Sequence, residues 1–283
     1  MRRLLIGLTL AAVLASALSS PSARPSAGAR VNRFDERAAW TFLRRQVELG
    51  PRPAGSAASG QLAEILRASI PRGRYQNVPG GLRNVVGTVR GRNPRRVVVV
   101  GAHYDTKDLP SFVGANDGAS GTAVVRQLAR TIKPRQVRPT LVFVFFDGEE
   151  SPPDTPPGDF ERYGLRGSKI AAGAFRQAEA AIVLDFVGDR DLAIPREERS
   201  NRLLWGKLRA AARATGHAAV FPPRDQGVVL DDHVPFLRAG VPAVDLIDFD
   251  FPCWHRPCDD LSAVSPRSLD AVGETTVALL RRF

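Results

Sequence analysis

Residues 141–150 read LVFVFFDGEE. An unbroken run of Leu, Val and Phe stops at Asp147, Glu149 and Glu150, with only a glycine between them. A run that apolar is a strand buried on both faces, and such strands belong to parallel sheets covered by helices. Three carboxylates at its tip repel and raise one another's pKa, which costs stability unless positive charge sits there. Either the turn is solvated and merely acidic, or it holds a metal ion. The rest of the chain decides between them.

Similar runs lie outward in both directions. RRVVVVGAHY (95–104), AAIVLDFVG (180–188) and VPAVDLI (241–247) are strands of the same kind, and LRNVVGTV (82–89) is expected beside the first of them. Helical segments alternate with them. FDERAAWTFLRRQVELG (34–50) places Trp40, Leu43 and Val47 on one face and is ended by Gly50-Pro51. Further helices are expected over 57–70, 118–132, 166–178 and 200–214, with a short one in DDHVPFLRAG (231–240). The last runs from Ser265 as N-cap and Pro266 in the first turn, with Leu269, Val272, Leu279 and Leu280 inward. Buried strands separated by helices give one α/β domain over 28–283: an α/β/α sandwich around a mostly parallel sheet.

The chain begins with MRR, then LLIGLTLAAVLASAL, then a small-residue, Pro-containing stretch. A basic start, an apolar stretch too short to span comfortably and ASA at 15–17 read as a secretory signal peptide within residues 1–27. The expected location is therefore secreted or extracytoplasmic, with no stable membrane insertion after cleavage. The net charge is +11, almost all of it arginine. The arginines are scattered in pairs rather than gathered in a run, and no nucleic-acid motif accompanies them, so no nucleic-acid partner is expected. Cys253 and Cys258 are the only cysteines. Two thiolates make an incomplete zinc site, whereas in an exported protein they form a disulfide closing a tight loop.

Ligands in open α/β sheets bind beyond the carboxyl ends of the strands. Those ends deliver His103, Tyr104 and Asp105; Asp147, Glu149 and Glu150; and Asp185, while loops add Asp117 and His255. Taken singly, each has a plain explanation: a hydrogen-bonded histidine, or Asp117 capping a helix. Gly114, Gly118 and Gly121 lack the Gly-Lys-Ser/Thr of a phosphate loop, and GASG lacks the spacing of a serine-hydrolase elbow. Together, two histidines and several carboxylates make a nitrogen and oxygen donor set suited to Zn²⁺. One glutamate of the pair then binds metal while its neighbour moves protons.

HYDTK, GANDGASG, FFDGEE, LDFVGD, DDHVPFLRAGVPAVDLI and WH, in that order, resemble the zinc aminopeptidase family that also contains the animal-type and bacterial type II glutaminyl-peptide cyclotransferases. The resemblance covers nearly all of the chain from about residue 33 and implies a phosphorylase/hydrolase-like α/β/α sandwich with a central mixed sheet. Carried over by motif, Asp117, Glu150 and His255 match the ligands of a zinc common to both branches. His103 and Asp185 match the extra ligands of a second zinc in the aminopeptidases, with Asp117 bridging. In the cyclases one zinc suffices, and Asp185 and Asp231 belong to a hydrogen-bond network around Glu149, the acid/base of either branch. Trp254 is expected to wall the substrate pocket.

The resemblance leans toward the cyclases. The insert SPPDTPPGDFER (151–162) separates DGEE from YGLRGSK, where simple aminopeptidases run almost directly on. The insert lacks a tryptophan that animal cyclases use there, with Phe160 as its candidate substitute, and Asp245 stands where they carry a histidine. The substrate is then a peptide or protein N-terminus. The alternative is a two-zinc aminopeptidase hydrolysing the first peptide bond, which the intact five-ligand set and the Cys-flanked CWHRPC loop allow. A third reading is a non-catalytic binding domain of the same fold, against which stands the retention of Glu149 and every ligand.

Overall fold

Six strands make one mixed sheet: β1 (Arg74–Val78), β2 (Leu82–Val89), β3 (Asn93–His103), β4 (Pro139–Phe146), β5 (Ala180–Asp185) and β6 (Ala243–Ile247). The computed structural model describes residues 34–156 and 158–283, so the leader expected over 1–27 lies outside the described residues. The spatial order is β1-β2-β4-β3-β5-β6. β4, β3, β5 and β6 run parallel, and β2 and β1 extend the sheet antiparallel at one edge.

β2 and β3, expected side by side, are separated by β4. Val85 of β2 pairs with Phe145, and Val99 of β3 pairs with Val142. LVFVFF is buried at every position, and only a central strand, paired along both edges and covered on both faces, can bury such a run. β1 was not anticipated. Its RYQNV is mostly polar and half-exposed, and it becomes a strand only by pairing with β2 at the edge.

Alternate residues of each strand feed two cores. On β4, Leu141, Phe143 and Phe145 face one core, and Val142, Val144 and Phe146 the other. The first core is covered by α1 (Glu36–Glu48), α2 (Ala57–Ser69), α3 (Ala119–Thr131), α6 (Arg202–Thr215) and α8 (Pro266–Leu280). The second is covered by α5 (Arg166–Ala174) and α7 (His233–Arg238), while a single turn, α4 (Phe160–Tyr163), lies between β4 and α5. The result is the expected α/β/α sandwich. Asp35, Ser56, Asn201 and Ser265 cap their helices by accepting first-turn N–H groups. The buried face of α1 is Ala39, Phe42, Leu43 and Gln46, with Trp40 and Val47 only partly covered at its margin.

Two features carry this frame to the site. The register places His103 beside Phe146 and Asp185 beside Ile247, so the carboxyl ends of the parallel strands finish level. α3 also rides directly on β5. A Cβ on Gly121 would lie 2.2 Å from the Leu184 carbonyl oxygen, so only glycine lets the helix, and the Asp117 loop before it, approach so closely.

Candidate active site

His103 ends β3 and Asp185 ends β5, and their side chains meet: His103 Nε2 is 3.2 Å from Asp185 Oδ1 and 3.3 Å from Asp117 Oδ1. Asp117 comes from the loop preceding α3. Its other oxygen, Oδ2, is buried without a hydrogen-bond donor among the described residues and lies 3.5 Å from His255 Nε2. That nitrogen is also 3.1 Å from Glu150 Oε1. Glu149 and Glu150 follow β4 across Gly148, whose φ of +71° makes the turn. His255 itself is left-handed, at φ +52°, within the Cys253–Cys258 disulfide loop. Its ring meets Phe112 edge-on at 5.9 Å and Trp254 at 4.8 Å.

Two donor groups result, His103–Asp117–Asp185 and Asp117–Glu150–His255. Within each, the candidate ligand atoms lie within 4.8 Å of one another, and Asp117 belongs to both. All five expected ligands therefore come together. Their chemistry fits zinc: imidazole nitrogen and carboxylate oxygen, with a buried carboxylate oxygen left without a partner.

An outer layer of charge holds these residues, and the sequence reading had not assigned it. Asp105, fully buried, accepts the Glu149 N–H at Oδ1 and the Glu150 N–H at Oδ2, both at 3.2 Å. Asp259 accepts the N–H groups of Asn116 and Asp117 at 2.6 and 3.0 Å. Lys107 Nζ lies 3.2 Å from Glu150 Oε2 and donates to Ser151 Oγ. Arg52 is a buried guanidinium beneath the cluster, donating to the carbonyls of Gln46, Gly50 and Val113. Burial pushes its pKa down to about 10, against the charges of Asp259, Asp117 and Asp105. HYDTK and CDD carried a signal for Asp105, Lys107 and Asp259, all near ligands. Arg52, in a Pro-rich loop, offered none.

Asp147, the first carboxylate of the opening stretch, faces away. It accepts the Arg83 N–H at 2.9 Å, and its own N–H donates to Asn84 Oδ1, which ties β4 to β2.

The adjacent glutamates differ electrostatically. Burial, and then the charge of Glu150, push Glu149 well above the ordinary carboxylate range. Burial also opposes ionisation of Glu150, but the bond from His255 and the charges of His255, Lys107 and His103 outweigh it and hold its carboxyl low. Asp117 is raised to about 6 by burial and by Glu150. Carboxylates driven upward by burial and mutual repulsion are stabilised by a cation among them.

A cavity of about 510 Å³ opens onto this cluster. Glu149, Asp185 and Asp231 line it, as do Phe160 and Trp254, the two expected wall residues. Thr155, Pro156 and Gly158 of the insert also face it, and Leu230 and Phe249 add apolar surface. Asp245 is not in the cavity. It is fully buried on β6 with His233 Nδ1 3.2 Å away.

Residues 84–280 match the model of peptidase family M28. A glutaminyl-peptide cyclotransferase of Drosophila melanogaster is 29% identical over 66% of this chain, and the match spans 61% of that relative's length. Among solved structures, a glutaminyl cyclase of Tannerella forsythia superposes with a TM-score of 0.79 at 27% identity, covering 89% of this chain and 99% of its own. A leucine aminopeptidase precursor of Bacteroides thetaiotaomicron superposes with a TM-score of 0.78 at 26% identity, over the same shares. Both chemistries are thus represented among proteins of this fold.

Proposed function

The chain belongs to peptidase family M28, and we propose that it is a secreted zinc enzyme that cyclises N-terminal glutamine of peptides to pyroglutamate, releasing ammonia. The wall that the insert residues Thr155, Pro156, Gly158 and Phe160 add to the cavity carries this choice. A walled pocket holds a glutamine side chain folded back toward its own α-amine, and such positioning favours internal attack over attack by water.

Asp117, Glu150 and His255 would hold the zinc. Bound there, it supplies a Lewis acid that polarises an amide carbonyl. Glu149 lines the pocket without being one of these ligands, so its carboxylate takes a proton from the attacking α-amine and hands it to the departing ammonia. The bond formed joins the α-nitrogen to the side-chain amide carbon Cδ, closing a five-membered lactam, and the Cδ–Nε2 bond breaks to release ammonia. Asp185, also lining the pocket, orients the amine, with Asp231 beside it in the network. Trp254 and Phe160 cover the substrate's apolar stem.

Secretion rests on the leader within residues 1–27 and on the Cys253–Cys258 disulfide, a bond of oxidising compartments. Among the described residues no helix is long and apolar enough to cross a membrane.

One observation favours a second reading. The His103–Asp117–Asp185 group shares Asp117 with the first, the arrangement a two-zinc aminopeptidase would use. Mass spectrometry separates the two. On the cyclase reading a Gln-initiated peptide loses about 17 Da and keeps its length, with one zinc per chain, the chemistry of Lewis-acid activation at a single centre. Release of free leucine from a Leu-initiated peptide, with two zincs and no ammonia from the Gln peptide, would make it an aminopeptidase.

A further inference from the structure

Behind the pocket lies a second buried charge cluster that takes no part in the metal groups above. His233, the first residue of α7, is fully buried. Its Nε2 is 3.1 Å from Glu197 Oε2, and its Nδ1 is 3.2 Å from Asp245 Oδ2. Neither ring nitrogen is squarely aligned with its carboxylate, so these are close ion pairs rather than directed hydrogen bonds. A neutral imidazole carries one N–H and one lone pair, and here the lone pair would face an anion. Protonation of both nitrogens removes that conflict.

Glu197 does more than face His233. Its Oε1 accepts the N–H groups of Arg199 at 3.0 Å and Val229 at 3.3 Å, and its Oε2 accepts that of Ser200 at 2.7 Å. Residues 226–230 belong to no helix or strand. Yet Val229, Leu230 and Asp231 form part of the pocket wall. Glu197 grips this segment at Val229, and His233 bounds it at the start of α7. Asp245, in turn, fixes His233 to β6.

We propose that His233 is a resident imidazolium bridging Glu197 and Asp245, and that Glu197 and His233 are positioning residues for the pocket wall Val229–Asp231. The titratable groups facing His233 are Glu197 from the loop after β5, Asp245 from β6, and Asp231 just before α7. Burial pushes both Asp231 and Asp245 up, with their mutual repulsion adding to the shift of Asp231. Burial opposes the ring's charge, but Asp245 and Glu197 outweigh it and raise the imidazole to about 9. The same pairing holds Glu197 low despite its burial. The rival occupant is a third cation, because Asp231, His233 and Asp245 also offer donor atoms within 4.8 Å. It is less favoured because each ring nitrogen already faces an anion, and a proton on each satisfies the ring with nothing brought in.

The part that concerns substrate rests on the peptide N-terminus reading, whereas the charge state does not. The first test is therefore ¹⁵N NMR of the zinc-loaded, histidine-labelled chain, which has four histidines. One ring, assigned by its loss in H233Q, should show both nitrogens protonated at pH 8. A neutral ring, or a metal-shifted Nδ1 with an extra zinc per chain, would overturn the imidazolium. The second test is Glu197→Gln, which removes the charge and replaces one acceptor oxygen with an N–H donor. The side chain can then no longer serve Val229 and Arg199 on one oxygen and Ser200 and His233 on the other. KM should rise about tenfold with kcat changed far less, the loss of binding-wall order rather than of chemistry. The His233 deprotonation should also move to lower pH. Unchanged KM, or equal losses in kcat and kcat/KM, would overturn the positioning role. Inactivity of the wild-type chain on every peptide, with the imidazolium signal present, would instead count against the proposed reaction.

Discussion

Glu149 and Glu150 are neighbours in the chain with opposite electrostatic environments. Glu150 is met by His255 and Lys107, while the Glu149 side chain has His103 Nδ1 4.0 Å away and is raised by burial and by Glu150. A carboxyl that belongs to neither donor group and is driven upward suits a group that must gain and lose a proton. Glu149→Gln should therefore lower turnover by about 10²–10⁴-fold, measured by ammonia release. Zinc content by elemental analysis should match the parent. A variant that loses its zinc would mean that the two glutamates have exchanged roles. Both residues were legible in LVFVFFDGEE because strand end and charge coincide there. Asp105 was visible as a strand-end residue, but its task was not. A carboxylate that accepts two backbone N–H groups from a turn over 40 residues away leaves no local pattern. Asp147 shows the converse: it looked like a third site carboxylate, and its partners, Arg83 N–H and Asn84, lie on another strand.

At the scale of elements, the loop carrying His255 is the most constrained piece of the site. The ring is held at positive φ, between Phe112 and Trp254, inside a loop closed by Cys253 and Cys258 five positions apart. Closing so short a loop stabilises by about 2 kcal/mol in the chain-entropy model. C253A/C258A should lower unfolding stability in denaturant by about that amount and release zinc faster to a chelator, since one ligand then samples other conformations. Equal stability and equal zinc off-rate would show that packing by Phe112 and Trp254 suffices alone. This loop was readable because its signal is two cysteines and a histidine within six residues. The pairing of β2 with β4 rather than β3 was not. A short connection between two apolar segments looks like a hairpin, and only the competition for both edges of β4 displaces it.

Across the described residues, more carboxylates than cations are buried, so stability depends on which protons are bound. The cluster at the carboxyl end of the sheet was legible as a whole because a parallel sheet aligns its carboxyl ends, and each apolar run announces what it delivers there. The Glu197–His233–Asp245 cluster was not, because its members sit on a loop, a helix start and a mid-strand position that only packing brings together. It has a measurable signature. His233 is raised from 6.5 to about 9 in the folded state. A group raised on folding contributes stability fully below its unfolded pKa, and the contribution is lost as pH rises through the folded value. At roughly 1.4 kcal/mol per pKa unit, that is ~3 kcal/mol, present below about pH 6.5 and gone above about pH 9. Glu197, held low, acts in the opposite sense: its share is present above its unfolded pKa of about 4.5 and is lost as pH falls through the depressed value. Urea midpoints measured from pH 6 to 10 should therefore fall steeply toward pH 9, and the fall should be absent from H233Q, which starts lower and stays flat by comparison. Parallel alkaline slopes in the two proteins would mean that His233 is neutral when folded and that other groups govern the alkaline limit.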